Sequence, residues 1–373
     1  MKRLLLILVL FVIFACDTSR NTPNPSEHFF IRYYGTDGDQ EGVDMVANAD
    51  ETFTLLGTSQ LTEIGDKQIY LTKVNQDGIV LWERFYGTAN NETAKDIEPT
   101  VDGGYVILAD QENSGSGTDI YLLTIDANGN QTNVGSFTYP SSVQPSHEIG
   151  VSVTELLDAN SNSGYIVAGH TDYDSIGFVN TTALFVRFKP DLTLFGDDWT
   201  NSGGYQDDDF CTKIVQVGDL NGLEPFLFFG YTNSNVDNTS FNYWASVLTS
   251  GGGGGGLDEL GNGILPGSPS GTIAEKLGSV TTTYRSSGIN KFLMAGILSD
   301  GSGNDKIYLA ELNSNGSLNL GFTTKTLDIN IGDITSFDPE LLPRLQKITA
   351  YPSRDLGYVI AAIVLPPEIL KWC

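Results

Sequence analysis
The stretch over residues 68–109 constrains this chain more than any other feature, because variants of it recur along most of the length. Each copy holds an apolar run that closes on a small residue and a run of alternating character. A Gly-containing turn then leads into a strand such as Trp82-Glu83-Arg84-Phe85-Tyr86-Gly87, and a polar loop carrying a carboxylate follows. The small residues that close the apolar runs are Gly57, Ala109, Gly169, Gly230, Gly296 and Ala361, spaced 52, 60, 61, 66 and 65 residues apart. A period of this size marks a repeat architecture, in which each unit buries its apolar face against the next. The runs are short, rich in Val, Ile, Phe, Tyr and Thr, and broken by Gly, Asp and Asn. That composition predicts strands and hairpins. No stretch after the leader shows sustained helical periodicity.

The alternating runs align at residues 69–74, 120–125, 183–188, 243–248 and 307–312. The turns after three of them end in Gly78, Gly129 and Gly316, where glycine supplies the positive φ of a tight hairpin. The runs that close on small residues are apolar throughout, so both of their faces should be buried between neighbouring sheets. Four-stranded sheets stacked radially meet that demand. The expectation is an all-β, six-bladed β-propeller of four-stranded antiparallel blades, the first strand of each blade innermost. Five blades run from Gly42 to about Leu327, and a sixth begins with residues 345–351 and 358–364. Residues 29–36 repeat the pattern of residues 82–88, so they form an outer strand without a blade. This N-terminal strand is expected to close the last blade and so remove a free sheet edge. For the missing third strand of that blade two readings stand: residues 368–373 supply a short one, or the sequence stops before it.

With W-x-x-x-Y-G, D-G-G-Y and D-x-x-G elements in this order, the chain resembles bacterial β-propeller repeat lipoproteins. It is also distantly similar to quinoprotein-like repeats, in which such a turn precedes a Trp. The resemblance covers about residues 29–364. It implies the fold and leaves the activity open, since propellers host many unrelated functions.

Lys2 and Arg3 precede an apolar run over residues 4–14, too short for a permanent span and suited to a secretory leader over residues 1–15. Ile13-Phe14-Ala15-Cys16 resembles a lipobox, which implies that Cys16 is lipidated and tethers the chain to a membrane. Asp17 leaves the membrane open, and the outer membrane or cell surface is favoured over the inner membrane. Residues 16–27 read as a lipidated, flexible tether and residues 28–373 as the propeller. The net charge of −26 repels phosphates, so no nucleic-acid partner is expected. The expected state is a monomer whose partners are the membrane, through the anchor, and a protein or glycan ligand. Cys211 is expected to be a small buried core residue, with a Cys211–Cys373 disulfide the less favoured reading.

Asp37, Asp39 and Glu41 resemble the start of a D-x-D-x-[DE]-G calcium loop, though Asn48 stands at the twelfth position. Calcium is therefore the one metal this pattern suits, and no other cofactor is expected. The competing reading makes Glu41 one of a set of turn-fixing acids with Glu92, Glu148, Asp208 and Glu275. Asp207-Asp208-Asp209 read as a solvated turn, and His170 as structural. Tyr33, Tyr34, Trp82, Phe85, Tyr86, Trp199 and Tyr205 read mainly as packing between blades. Gly251–256 and the residues after them read as a flexible excursion on the rim. No Ser/His/Asp set, metal-spaced His pair or Arg cluster can be assembled. A binding or scaffold module is expected. The alternative is a polysaccharide hydrolase or lyase using carboxylates at the channel mouth.

Overall fold
The computed structural model describes residues 32–35, 38–60, 66–113, 117–139, 146–156, 164–172, 181–201, 208–216, 225–232, 242–250, 257–264, 274–282, 291–299, 305–313, 325–328, 344–352 and 358–365. The chain divides into two compact units, Met1–Tyr34 and Gly35–Cys373. Of the first, only Arg32, Tyr33 and Tyr34 are described, and they form no strand.

Among the described residues every regular element of the second unit is a strand. The first sheet holds β1 (Asp39–Ala47), β2 (Phe53–Gln60), β3 (Lys67–Val74) and β4 (Val80–Tyr86). The second holds β5 (Asn91–Pro99), β6 (Tyr105–Asn113), β7 (Gly117–Ile125) and β8 (Gln131–Phe137). The third holds β9 (Ser146–Leu156), β10 (Gly164–Thr171), β11 (Thr182–Phe188) and β12 (Leu194–Asn201). The fourth holds β13 (Asp209–Gln216), β14 (Pro225–Thr232), β15 (Asn242–Ser250) and β16 (Leu257–Ile264). The fifth holds β17 (Ala274–Thr282), β18 (Lys291–Ser299), β19 (Asp305–Asn313) and β20 (Lys325–Asp328). A final pair joins β21 (Arg344–Pro352) to β22 (Tyr358–Leu365). Each sheet is an antiparallel meander in chain order, and a short parallel contact between β7 and β9 links the second to the third.

The cores lie between consecutive sheets. Tyr105, Ile107 and Ala109 of β6 pack with Leu56, Ile69 and Leu71 of the first sheet. Val106 and Leu108, on the opposite face of the same strand, pack with Val153, Val167 and Leu184 of the third. Ile166 and Phe185 meet Phe226 and Phe228, while Leu227 and Phe229 meet Phe292 and Met294. The period of two along a strand sends alternate side chains to opposite faces, so these central strands serve two cores at once. Each fully buried Leu or Phe contributes about 1.5–3 kcal/mol. The expectation that both faces would be buried is met. The hairpin glycines behave as expected too: Gly78 has φ 72° and Gly129 φ 79°. Asn75 and Asp126 fix these turns by accepting two backbone N–H bonds each.

The first strands neighbour one another in succession, β1 to β5 to β9 to β13 to β17 to β21. In five of them a β-bulge falls at the same repeat position, between Gly42 and Asp44, Ala94 and Asp96, Gly150 and Ser152, Cys211 and Lys213, and Leu277 and Ser279. Each bulge sits opposite the small residue that closes the second strand, where the carbonyl of the first strand comes close. A Cβ on Gly169 or Gly230 would overlap the carbonyl oxygen of Ile149 or Phe210. Bulges of this kind re-aim the side chains that follow them.

Several expectations need correction. Leu257–Ile264, read as part of the glycine excursion, is a strand paired with β15 from Ser250 to Trp244; ladder pairing uses backbone groups and needs no apolar alternation. Asp209 opens β13 and is buried, so it belongs to no solvated turn. Phe85 is 36% exposed and packs on Tyr70 rather than between sheets, and Tyr33 is 94% exposed. Tyr86 and Trp82 do serve the core between the first two sheets. The side chain of Trp199, all of Tyr205 and residues 29–31, 251–256 and 366–373 lie outside the described residues. The final sheet shows two strands among the described residues, so neither six complete blades nor closure by the N-terminal strand is observed.

Candidate functional site
Two sets of polar groups lie on the first strands of the second unit, at two levels. The outer level is a row fixed by register: Gln40, Glu92, Glu148, Asp209 and Glu275, each two residues before the position facing the small residue of the second strand. The row expected from sequence slips by one at both Glu41 and Asp208. Glu41 is exposed, and Gln40 holds the repeat position instead. Asp208 accepts the Thr181 N–H at 2.8 Å. Glu92 is wholly buried and accepts from the Thr88 N–H, the Thr88 hydroxyl and the Gln111 amide at 3.1, 2.5 and 2.8 Å. Glu148 accepts from the backbone of Tyr139 and from Thr171, and burial pushes its carboxyl above the usual range. Gly87 faces Glu92 as Gly35 faces Gln40. A side chain at this level therefore ties the end of one sheet to the start of the next.

Asp39 and Glu41 stand two apart on β1 and so share a face. They line a recess of about 270 Å³ with Gln40, Thr58, Gln60, Lys67 and Thr93. Asp37 lies outside the described residues. From Asp39 onward the backbone is a paired strand rather than a calcium loop. Among the described residues no three His, Cys, Asp or Glu side chains gather in a way that could hold a metal.

The inner level is the residue just after each bulge: Asp44, Asp96, Ser152, Lys213 and Ser279. The Asp44 carboxylate reaches the Ile97 N–H of the next sheet at 3.5 Å, and Asp96 reaches the Val153 N–H of the sheet after it at 2.8 Å. Lys213 spans from β13 to β5, 3.3 Å from Asp96 and 3.0 Å from Glu98. Burial, then the Asp96 charge, pushes the Asp44 carboxyl up to about 7, and the two carboxyls are hydrogen-bonded. Burial likewise raises Glu98, with Lys213 opposing. Burial works against the Lys213 charge, but Asp96 and Glu98 outweigh it and hold the ammonium above its ordinary range. At neutral pH the Asp44 carboxyl, raised to about 7, is partly protonated in a cluster that also holds the Lys213 ammonium.

Sequence reasoning missed Asp44, Asp96, Glu98 and Lys213. The signal was present: Asp44 and Asp96 follow Gly42 and Ala94 at one fixed offset. The bulge that turns this offset into convergence could not be seen in the sequence. His170 is placed as expected of a structural residue. Its ring packs edge-on to Phe210 at 5.3 Å, and burial, with the nearby Lys95 charge, depresses its pKa to about 4. Cys211 is buried and free, its sulfur 3.7 Å from the Phe229 carbonyl, and burial pushes the thiol up to about 12.

No protein-family model and no curated protein matches the chain. Among solved structures, an endo-arabinase from Bacteroides thetaiotaomicron aligns with TM-score 0.38 and 10% identity, covering 79% of this chain and 95% of that one. A thermostable family-43 glycoside hydrolase aligns with TM-score 0.41 and 12% identity over 81% and 96%. Drosophila Semaphorin 1a, extracellular domains 1-2, aligns with TM-score 0.39 and 7% identity over 89% and 87%. Likeness at this level gives neither a family nor an activity.

Proposed function
We propose that this chain is an exported binding module, tethered to a membrane through lipidated Cys16, that takes a glycan in the recess between β1 and β5. The observation that carries the reading is the lining of that recess: two carboxylates, two amides, two hydroxyls and Lys67, with no apolar side chain among them. Such a set offers donors and acceptors to sugar hydroxyls. The leader and the lipobox-like Cys16 support export and anchoring. The consecutive meanders and neighbouring first strands support a propeller of six blades. The match of residues 29–36 to residues 82–88 in sequence supports them as the outer strand that closes it.

One observation favours polysaccharide hydrolysis or cleavage instead, namely the meeting of Asp44, Asp96 and Glu98. Against it, glycosidase carboxyls flank the scissile bond about 5–9.5 Å apart, whereas Asp44 and Asp96 touch each other. Asp96 is also committed to the Val153 N–H and Lys213.

A glycan array probed with soluble chain from residue 17 onward tests the two readings together. The expected result is retained binding of one saccharide class, weakened at least about tenfold by Lys67→Ala or Asp39→Ala, each removing a charged hydrogen bond. Release of reducing ends from polysaccharide, abolished by Asp96→Asn, would replace the binding reading with the catalytic one. An array without a single hit would remove the glycan assignment.

A further inference from the structure
We propose that Asp119 and Glu148 hold a hard divalent cation, calcium being the representative, at the junction of the second and third sheets. The parallel contact of β7 with β9 pairs Gly117 with Ser146 and Thr118 with His147. Asp119 and Glu148 follow these pairs by one residue on each strand, and the Asp119 charge is felt at Glu148. Gly117 permits this close approach, since a Cβ there would overlap the Ser146 carbonyl.

Both acids are more than nine-tenths buried, at 6% and 0% exposure. Each uses one oxygen: the Asn113 amide donates to Asp119 Oδ2, and the Thr171 hydroxyl donates to Glu148 Oε1. The other two oxygens, Asp119 Oδ1 and Glu148 Oε2, are buried with no hydrogen-bond partner. No lysine or arginine among the described residues pairs with either acid. A buried carboxylate oxygen left this way is costly unless positive charge compensates it. A shared proton would need the two spare oxygens within hydrogen-bond reach, whereas Asp119 acts on Glu148 through its charge and not through a hydrogen bond. The contrast is with Asp44 and Asp96, which are hydrogen-bonded to each other. Two unpartnered oxygens on acids that interact through charge suit a cation with metal–oxygen distances of about 2.3–2.6 Å. The Asp119 charge adds to the burial that raises the Glu148 pKa, as expected of a pair lacking its counterion. At the first junction the repeat puts Gln68 where Asp119 stands, so only one acid, Glu92, is present there.

The test is a calorimetric titration of calcium chloride into the chelator-treated full chain. The expected result is one saturable site and a thermal midpoint raised by about 5 °C at saturating calcium. The Asp119→Asn/Glu148→Gln variant should lose both effects, and Asp39→Asn/Glu41→Gln should keep them. Absence of saturable heat in the wild type, or heat unchanged in the Asp119/Glu148 variant, or heat lost in the Asp39/Glu41 variant instead, overturns the proposal. Should the double variant fold poorly, Asp119→Asn alone is expected to weaken calcium at least about tenfold, and unchanged affinity would count equally against the site.

Discussion
The junction between the first and second sheets and the junction between the second and third use the same repeat positions with opposite choices of size. At the first, Trp82 and Arg84 of β4 pack over Gly129 in the turn of the next sheet. At the second, Gly135 stands where Arg84 would be, and it receives Leu192, which stands where Gly129 would be. Leu192 pays for the exchange with φ 62°, a left-handed conformation that costs a non-glycine residue about 1 kcal/mol or more. It is 2% exposed and belongs to the core between these sheets. A large residue thus meets glycine at each junction, from opposite sides. The lesson is that a repeat keeps its backbone while its junctions diverge in complementary pairs, which disfavours a swap of neighbours.

Five substitutions test this contrast. Gly135→Ala has the largest expected effect: its Cβ would overlap the Leu192 carbonyl, and forcing that backbone apart should cost about 3 kcal/mol in denaturant unfolding. A loss below about 1 kcal/mol would show that the second junction is looser than its packing implies. Glu92→Ala comes next, at about 2 kcal/mol, because the wholly buried Glu92 side chain is removed and the Thr88 and Gln111 donors lose their acceptor. Glu92→Gln should cost under about 1 kcal/mol, since Gln40 fills the equivalent place in the first sheet. Equal losses from the two substitutions would contradict the shared role of that row. Leu192→Gly should cost about 1 kcal/mol net, the lost burial being partly offset by relief of the positive φ.

Asp44→Asn comes last, and its effect depends on pH. The folded carboxyl titrates near 7 against an ordinary value of 3.8. The folded state therefore holds a proton that the unfolded state releases. The associated stability is fully present below pH 3.8 and is lost as pH rises to about 7. The asparagine variant should lack this slope and exceed the wild type by about 1 kcal/mol at pH 8, where an uncharged side chain removes the repulsion with Asp96. Parallel pH profiles for the two proteins would refute the coupling.

Much of the fold was legible because hydrophobic period and turn chemistry are local. The strand over residues 69–74, the Asn75 turn and the two-faced burial of β6 follow from residues within a few positions of each other. Leu257–Ile264 was illegible because its pairing rests on backbone groups that every sequence carries. The row of junction acids was visible as a pattern, but it slipped by one at Gln40, because only the ladder register separates that residue from Glu41. The candidate cation pair was harder still: Asp119 and Glu148 belong to different repeats and meet through a two-residue parallel contact with no sequence mark.

The repeat alone determined that this chain is all strand, divided into similar units, and that its central strands bury both faces, since alternation and period act through neighbours in the chain. Only the tertiary structure decided which charges meet. The bulge before Asp44, Asp96 and Lys213 aims their side chains across sheets, and the contact of β7 with β9 sets two acids side by side. Convergence of residues from distant repeats depends on register and curvature, and these are settled only when the sheets pack.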